Sequence, residues 1–362
     1  MIGFEPSEEQ QLVVETVRQF AEKEVRPQAR ECDEAGRVPD ALLAQAHALG
    51  LVANGLPEAH GGGGERSAVT GALVLEELAW GDLALALAIV SPALVALPVA
   101  EFGSDAQRQR ILPRYTAGRF APGALALVEP HFGADPFRPR TTARREDSGY
   151  RLEGAKCLVP WLDGGDAVLV FAEESGTAQG FLVPRDAPGL TATPESYMGI
   201  RALPTVELRL EGVVVDADAR LGGDAGSDLR RIVSQGRVAL AAAGVGLARA
   251  AFEVARDYAK EREAFGVKIA QKQAIAFKLA DMAIEIDAAR LLVWEAAWCL
   301  DQGRDAVREA TLAYDQVRRI ALEVADGAVQ VLGGHGYIRD YLPEMHLRNA
   351  RGFAVFEALA LV

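Results

Sequence analysis

The chain has 362 residues, of which half are hydrophobic and a quarter are charged, a composition typical of globular proteins. A chain of this length exceeds one simple core, so two or three packed units are expected. The formal net charge of −13 argues against a nucleic-acid-binding protein, because neutralising phosphates requires clustered lysine and arginine.

The cysteines and histidines carry no signal for a metal or a disulfide. Cys32, Cys157 and Cys299 form no CxxC pair, and the five histidines show no metal-ligand spacing. We therefore expect no metal and a reducing compartment, the cytoplasm. The acidic first residues also lack the basic start and apolar stretch of a signal peptide.

Residues 1–123 are predicted to form a helical domain. Ser7, with Gln10 three residues later, has the pattern of a capping box. The helix that begins there is expected to run over residues 8–25 and to end before Pro27.

One apolar stretch, residues 83–100, contains no charge and reaches the length of a membrane span. Pro92 and Pro98 would each interrupt the hydrogen bonds of such a helix. We therefore predict buried core helices here and no membrane span.

Residues 124–222 are predicted to form a β domain. Val206, Leu208 and Leu210 alternate with charged residues, which is the period-two pattern of a strand with one buried face. The sequence DSG at 147–149 predicts a hairpin turn.

Residues 223–362 are predicted to be helical again. The order helical, β, helical differs from the alternation of α/β proteins, so the predicted fold class is α+β. Apolar residues recur on one face of a long predicted helix: Ile275, Leu279, Met282, Ile286 and Val293.

Glycines mark three places in this last region. GVGLAR (244–249) follows no strand, so its small residues indicate close helix packing and not a dinucleotide fingerprint. REAFG (262–266) places an arginine, which can bind a pyrophosphate, beside a glycine turn. QVLGGHGY (330–337) clusters glycines where positive φ or close contact with a cofactor is needed. Each segment alone also fits an ordinary helix end.

Taken together, REAFG and QVLGGHGY resemble the RxxFG and QxxGGxGY motifs of the acyl-CoA dehydrogenase family. ALVEPHFGAD (126–135) is similar to the family's TEPGAGSD segment, and MGIRALPTVELRLEGVVV (198–215) resembles the end of its β domain. The resemblance implies an N-terminal helical domain (1–123), a central β-barrel-like domain (124–222) and a C-terminal four-helix bundle (223–362).

The resemblance also implies FAD, bound between the β domain and the C-terminal bundle and shared with a neighbouring subunit. A homotetramer, or a heteromer with a related subunit, follows from this. The implied FAD contacts are Arg262, Phe265, Gln273, Gln330, Gly333 and Gly334 across the interface, with Val128, Gly133 and Ala134 from the β domain.

By the same resemblance Glu357 matches the catalytic base of the family's YEGT motif, nine residues after Arg348. The alternative base position, just before Arg237, is Gly236 here. The implied activity is α,β-dehydrogenation of an acyl-CoA in fatty acid metabolism, with electrons passed to an electron-transfer flavoprotein. Arg237 and Ala358 would lie beside the substrate.

The β-domain motifs depart from the family pattern. Val128 and Ala134 replace a threonine and a serine, and His131 and Phe132 replace Gly-Ala. The KxWITN motif reads Lys156-Cys157-Leu158-Val159-Pro160-Trp161 here, and YEGT reads FEAL. One such hydrogen bond contributes on the order of 1–3 kcal/mol, so the loss of several would weaken FAD binding. Two alternatives therefore stay open: a degenerate non-catalytic subunit of a heteromer, and a flavin oxidase or monooxygenase on the same fold.

Overall fold

The computed structural model describes residues 5–64 and 66–362. The first helix begins with the predicted capping box: the Ser7 side chain accepts from the Gln10 N–H at 3.2 Å, and the Gln10 side chain accepts from the Ser7 N–H at 3.0 Å. The helices before the sheet are α1 (Glu8–Phe20), α2 (Arg26–Ala35), α3 (Asp40–Ala48), α4 (Ala68–Gly81), α5 (Leu83–Ile89), α6 (Ala93–Phe102), α7 (Asp105–Ile111) and α8 (Pro113–Thr116).

The prediction that the first helix ends before Pro27 is wrong. A π-helical turn, Ala21–Val25, joins α1 to α2, and Pro27 lies within the first turn of α2. Proline is tolerated there because the hydrogen-bond pattern is already interrupted by the π turn, so its missing N–H costs little.

The apolar stretch at residues 83–100 forms the buried helices that were predicted. Helices α5 and α6 bend by 44° at the break between them, and together they pass the length and hydropathy test for one membrane span. In the described part of the chain, one unbroken helix, Leu229–Glu261, also passes that test, and 78% of its apolar window is buried inside the protein.

The middle region forms a sheet whose hydrogen-bonded order is β1-β4-β2-β3-β7-β6, with β5 paired to β4. The DSG turn joins β2 to β3 in antiparallel register, as predicted. Val206, Leu208 and Leu210 of β7 are buried, which confirms the alternating pattern. The strands are β1 (Leu125–Ala126), β2 (Thr142–Glu146), β3 (Gly149–Pro160), β4 (Ala167–Glu174), β5 (Thr177–Pro184), β6 (Leu190–Pro194) and β7 (Thr205–Asp216).

The rest of the chain is mainly helical. A Cβ added to Gly244 would lie 2.3 Å from a Val317 side-chain atom, and one added to Gly246 would lie 2.2 Å from the Glu76 carbonyl oxygen. These glycines therefore serve close helix packing, as predicted. The elements are α9 (Leu229–Glu261), β8 (Glu263–Ala264), β9 (Val267–Lys268), α10 (Gln273–Asp301), α11 (Val307–Leu332), α12 (Gly334–Tyr337) and α13 (Pro343–Arg351).

The helices that precede the sheet in the sequence and those that follow it share one apolar core. It combines buried side chains of α4 and α5 with those of α9, α10 and α11. Buried side chains of the strands form a separate apolar core. Ile200 and Leu203, from the loop between β6 and β7, enter the helical core and so join the two regions. The boundaries at residues 123 and 222 stay predictions.

Candidate active site

Glu357 lies six residues after α13, beyond the short 3-10 turn Gly352–Ala354. The hydroxyl of Tyr314 on α11 donates to the carbonyl oxygen of Phe353 at 2.9 Å and also contacts that of Phe356. These contacts hold the backbone just before Glu357. The next residue, Ala358, has a φ of +55°, a left-handed conformation that costs a residue with a Cβ about 1 kcal/mol or more.

The carboxylate of Glu357 is bound on one oxygen only. Nε and Nη2 of Arg237 donate to Oε1 at 3.1 and 2.9 Å. Oε2 is buried and has no hydrogen-bond partner within the described residues. Burial raises the pKa of Glu357 above its usual value, although the Arg237 guanidinium acts in the opposite direction. The result is a fixed carboxylate with one buried oxygen able to accept a proton.

Arg237, on α9, joins three parts of the chain at this carboxylate. Its Nη1 donates to the Thr311 hydroxyl of α11 at 2.9 Å. Its guanidinium carbon lies 5.4 Å from the ring centroid of Phe137, in the loop before β2. Thr311 and Phe137 were not predicted from the sequence, since neither lies in a recognised motif. The contact with Phe137 brings the middle region to the carboxylate.

The loop that precedes Phe137 carries the predicted residues Val128, Gly133 and Ala134. Gly133 has a φ of +71°, and a Cβ added there would meet no atom within 4 Å. The Cys157 N–H of β3 donates to the Val128 carbonyl oxygen at 2.9 Å. This loop is therefore tied to β3, and its backbone is open to a ligand at Gly133.

A buried ion pair lies under the same loop. Nζ of Lys156, which is fully buried, donates to Oε1 of Glu129 at 2.9 Å and to the Leu127 carbonyl oxygen at 3.2 Å. Glu129 also accepts from the N–H and hydroxyl of Thr141 and from the N–H of Arg140, and Nε2 of His131 lies 3.3 Å from its Oε2. Burial raises the pKa of Glu129, but Lys156 and these N–H groups outweigh it and leave that pKa below its usual value.

A second group of predicted residues lies at the other end of α9. Arg262 and Phe265 belong to the turn after α9, and Gln273 begins α10. Phe265 has a φ of +55° and is 94% exposed. Arg262 and Gln273 are exposed as well. These side chains form a surface on which one aromatic ring and one guanidinium are free to contact a ligand.

The turn at the end of α11 joins this second group. Gln330, Gly333 and Gly334 are exposed, and Gly333 has the predicted positive φ, +59°. Added Cβ atoms at Gly333 and Gly334 would meet nothing within 4 Å. The hydroxyl of Tyr258, near the end of α9, lies 2.9 Å from Nδ1 of His335. This contact sets the two glycines beside the turn that carries Arg262.

The two groups are far apart in one chain. Arg237 and Glu261 are separated by 24 residues of the continuous helix α9, which corresponds to about 36 Å at 1.5 Å per residue. This distance is longer than an extended FAD molecule. An FAD bound at the turn of Arg262 therefore does not reach the Arg237–Glu357 pair of the same chain.

Three family models match the chain: the N-terminal domain of acyl-CoA dehydrogenase over residues 7–119, its middle domain over 124–213 and its C-terminal domain over 228–357. The chain belongs to the acyl-CoA dehydrogenase family. A probable acyl-CoA dehydrogenase of Bacillus subtilis (strain 168) is 37% identical over 362 residues, covering 97% of this chain and 94% of the relative.

Solved structures of acyl-CoA dehydrogenases agree with this assignment. Butyryl-CoA dehydrogenase from Megasphaera elsdenii matches with a TM-score of 0.89 at 31% identity, covering 99% of this chain and 96% of that one. Glutaryl-CoA dehydrogenase from Mycobacterium smegmatis in complex with FADH2 matches with a TM-score of 0.86 at 28% identity, covering 98% and 92%. The predicted fold and enzyme class, an oxidoreductase, are confirmed. The family is FAD-dependent, which confirms the predicted cofactor.

The residues of this acyl-CoA dehydrogenase fit FAD better in one half of the site than in the other. The open glycines and the exposed Arg262 and Phe265 suit a pyrophosphate and an adenosine. On the sheet side Val128 and Ala134 offer no side-chain hydrogen bond, so backbone groups beside Gly133 must serve there. The cofactor therefore fits the chain, with fewer side-chain contacts on the sheet side than the family motif provides.

Proposed function

We propose that this protein catalyses the FAD-dependent α,β-dehydrogenation of an acyl-CoA thioester, with Glu357 as the general base. The observation that carries this proposal is the half-paired carboxylate: Arg237 holds Oε1, and the buried Oε2 has no partner. Of the two base positions seen in the family, the other is Gly236 here, which cannot accept a proton.

The chain's own part in the reaction is to hold and accept a proton. Oε2 of Glu357 takes the proton from the α-carbon of the thioester, while Arg237 keeps the carboxylate ionised and oriented. The chemistry that FAD supplies when bound is acceptance of the hydride from the β-carbon. We propose an electron-transfer flavoprotein as the partner that would take up the electron pair removed from the substrate. Arg237 and Ala358 line the substrate side of the base.

We further propose that FAD lies between two copies of the chain. Val128, Gly133 and Ala134 of one copy would contact the flavin, and the exposed group of the other copy would contact the rest of the cofactor: Arg262, Phe265, Gln273, Gln330, Gly333 and Gly334. The separation of about 36 Å along α9 supports this division. The proposed location is the cytoplasm, and the proposed process is fatty acid metabolism.

A second candidate is a non-catalytic subunit that completes a heteromer. The observation that favours it is the loss of side-chain donors on the sheet side of the flavin, at Val128 and Ala134. The carboxylate of Glu357 favours the catalytic proposal, because burial raises its pKa and leaves Oε2 without a hydrogen-bond partner, as a general base requires. A flavin oxidase or monooxygenase on this fold is the third reading.

The purified chain is expected to be yellow, or to become yellow with added FAD, and to lose its flavin absorbance when mixed anaerobically with one member of an acyl-CoA panel. The panel should include butyryl-CoA, glutaryl-CoA and longer straight and branched acyl groups. Protein that stays colourless in excess FAD would support the heteromer subunit instead. Bleached flavin that reoxidises rapidly in air, with release of peroxide, would support the oxidase.

The surface of α10 supports an oligomer, for which we propose a homotetramer. Phe277, Ile284 and Leu291 are seven residues apart on its outer face and are 59%, 66% and 45% exposed. An exposed apolar row with this spacing is typical of a helix that packs against another copy. Because the FAD site is shared, the oligomer and cofactor binding should be lost together.

We expect Ile284→Glu to dissociate the oligomer and to release FAD, since it places a charge in the middle of this apolar row. Sedimentation velocity reports the mass and the visible absorbance of the same boundary reports bound flavin. The matched control is Val214→Glu, which introduces the same charge at a half-exposed position of β7. Wild-type mass for Ile284→Glu would show that another surface forms the oligomer.

A further inference from the structure

The loop between β6 and β7, residues 195–204, contacts β3 at Leu158 and α13 at Asn349. We call it the strap loop. Its base is closed by hydrogen bonds from the Glu195 N–H to the Thr205 carbonyl oxygen at 3.0 Å and from the Trp161 N–H to that of Pro204 at 2.8 Å. Its apolar residues Ile200 and Leu203 are buried in the helical core. Part of the loop is therefore packed in the interior, while Tyr197 and Met198 are exposed.

The first end of the strap loop holds a strained residue of β3. Leu158 has a φ of +55°, where β3 and β7 lose register after Lys156. The Leu158 N–H has left the ladder and donates instead to Oε2 of Glu195 at 3.0 Å. The Tyr197 hydroxyl donates to Oε1 of the same carboxylate at 2.6 Å. Glu195 thus stabilises the bulge, and Tyr197 orients Glu195.

The other end of the strap loop holds a second strained residue against α13. Ile200 is β-branched, yet its φ is +49°, a conformation that such a residue rarely adopts. The Ile200 N–H donates to Oδ1 of Asn349 at 2.8 Å, and Asn349 is buried. A Cβ added to Gly199 would lie 2.1 Å from the Arg348 carbonyl oxygen, so the loop and the helix are in backbone contact.

Each end leads directly to one half of the site. The Cys157 N–H, next to Leu158, binds the Val128 carbonyl oxygen, and Val128 belongs to the loop that we assign to the flavin. Asn349 lies on α13, whose last residue is six positions before Glu357. Two strained residues, each held by one side-chain acceptor, therefore bracket the path from the flavin side to the base.

We propose that the strap loop is a positioning element that sets the bulge at Leu158, next to the loop of Val128, and helix α13, which leads to Glu357, in one fixed relation. Glu195 and Asn349 are its two positioning residues. This inference rests on the proposed function for its purpose, but the coupling between the two ends is a property of the chain alone. Loss of either acceptor lets a strained residue relax, so the effect should reach the opposite end.

In the full-length protein, one end of the strap loop is changed by substitution and the effect is measured at the opposite end. Asn349→Ala, made on α13, should raise the Kd for FAD about tenfold, the fold-change that corresponds to the energy of one buried hydrogen bond. Asn349→Asp keeps an acceptor oxygen but buries a charge, so its Kd should lie between those of Asn349→Ala and the wild type. Glu195→Ala, made next to the flavin bulge, should speed hydrogen–deuterium exchange of the α13 amides, and Glu195→Gln should do so much less.

Two controls separate positioning from general stability. Val213→Ala removes buried volume from β7 outside the strap loop and should lower the melting temperature without moving the Kd or the α13 exchange. Ser196→Ala changes an exposed residue within the loop and should change neither. The inference is overturned if each acceptor variant affects only its own end, or if Val213→Ala has the same effects at equal loss of melting temperature. Wild-type protein that binds no FAD, with α13 exchange still responding to Glu195→Ala, would overturn the proposed function and keep the coupling.

Discussion

Replacing Glu357 by glutamine should lower the rate of substrate-driven flavin bleaching by about 10²- to 10⁴-fold, the usual contribution of a general base. Glutamine has the same shape, and its Oε1 can still accept from Arg237, so the site keeps its geometry. It cannot take a proton at neutral pH. Anaerobic stopped-flow measurement with the best acyl-CoA of the panel gives the rate, and a FAD titration checks that cofactor binding is unchanged.

The matched control for this experiment is Glu211→Gln, which removes the same charge at an exposed position of β7 and should bleach at the wild-type rate. Wild-type bleaching by Glu357→Gln would show that another group removes the α-proton. Loss of FAD together with loss of bleaching would instead indicate that Glu357 is a structural residue.

The pH profile of the wild type provides a second reading of the same carboxylate. Only the ionised form of Glu357 can accept the proton, and burial raises its pKa above the usual value. The bleaching rate should therefore be low in acid and rise with pH through this raised pKa, then stay level. The midpoint should lie above the pKa of about 4.3 that a free glutamate side chain has.

Local sequence patterns predicted the elements because their causes are local. The alternation at Val206, Leu208 and Leu210 depends only on the period of a strand, and the Ser7 cap depends on residues three positions apart. The wrong prediction of a helix end at Pro27 has the same origin. Proline is disfavoured in a helix interior, but composition gives no sign of the π turn that precedes Pro27. Tertiary packing of α1 and α2 stabilises the continuous helical segment across this π turn.

The site was predictable only in part, because its contacts join residues that are distant in sequence. The resemblance named Glu357 and Arg237 separately, but their pairing spans 120 positions and leaves no local signal. Thr311 and Phe137, which complete the surroundings of Arg237, belong to a regular helix and an irregular loop. For the strap loop, the sequence indicates only that residues 198–204 resemble the end of the family's β domain. Its strained backbone at Ile200 contradicts the preference of a β-branched residue, so propensity could not indicate it.

The buried pair of Lys156 and Glu129 should contribute strongly to the stability of the fold. Burial lowers the pKa of Lys156 to about 8, so its ammonium is still charged at neutral pH. Lys156→Met would fill the same volume but leave the Glu129 carboxylate buried without its cation. Removing one partner of a buried pair costs about 3–5 kcal/mol, and we expect that loss in the free energy of unfolding from urea titrations at neutral pH.

The double variant Lys156→Met/Glu129→Gln should recover part of this loss, because the amide is neutral and its oxygen can still accept from the Thr141 N–H, while its NH2 replaces the oxygen that accepts from the Arg140 N–H. The exposed pair of Lys268 and Glu263, whose nitrogen and oxygen are 2.8 Å apart, is the matched control. Lys268→Met should destabilise the protein far less than Lys156→Met does, since water screens and solvates both charges. If Lys156→Met lowers the free energy of unfolding no more than Lys268→Met does, the buried pair does not stabilise the loop that carries Val128. The fit of that loop to a flavin must then depend on its backbone contacts alone.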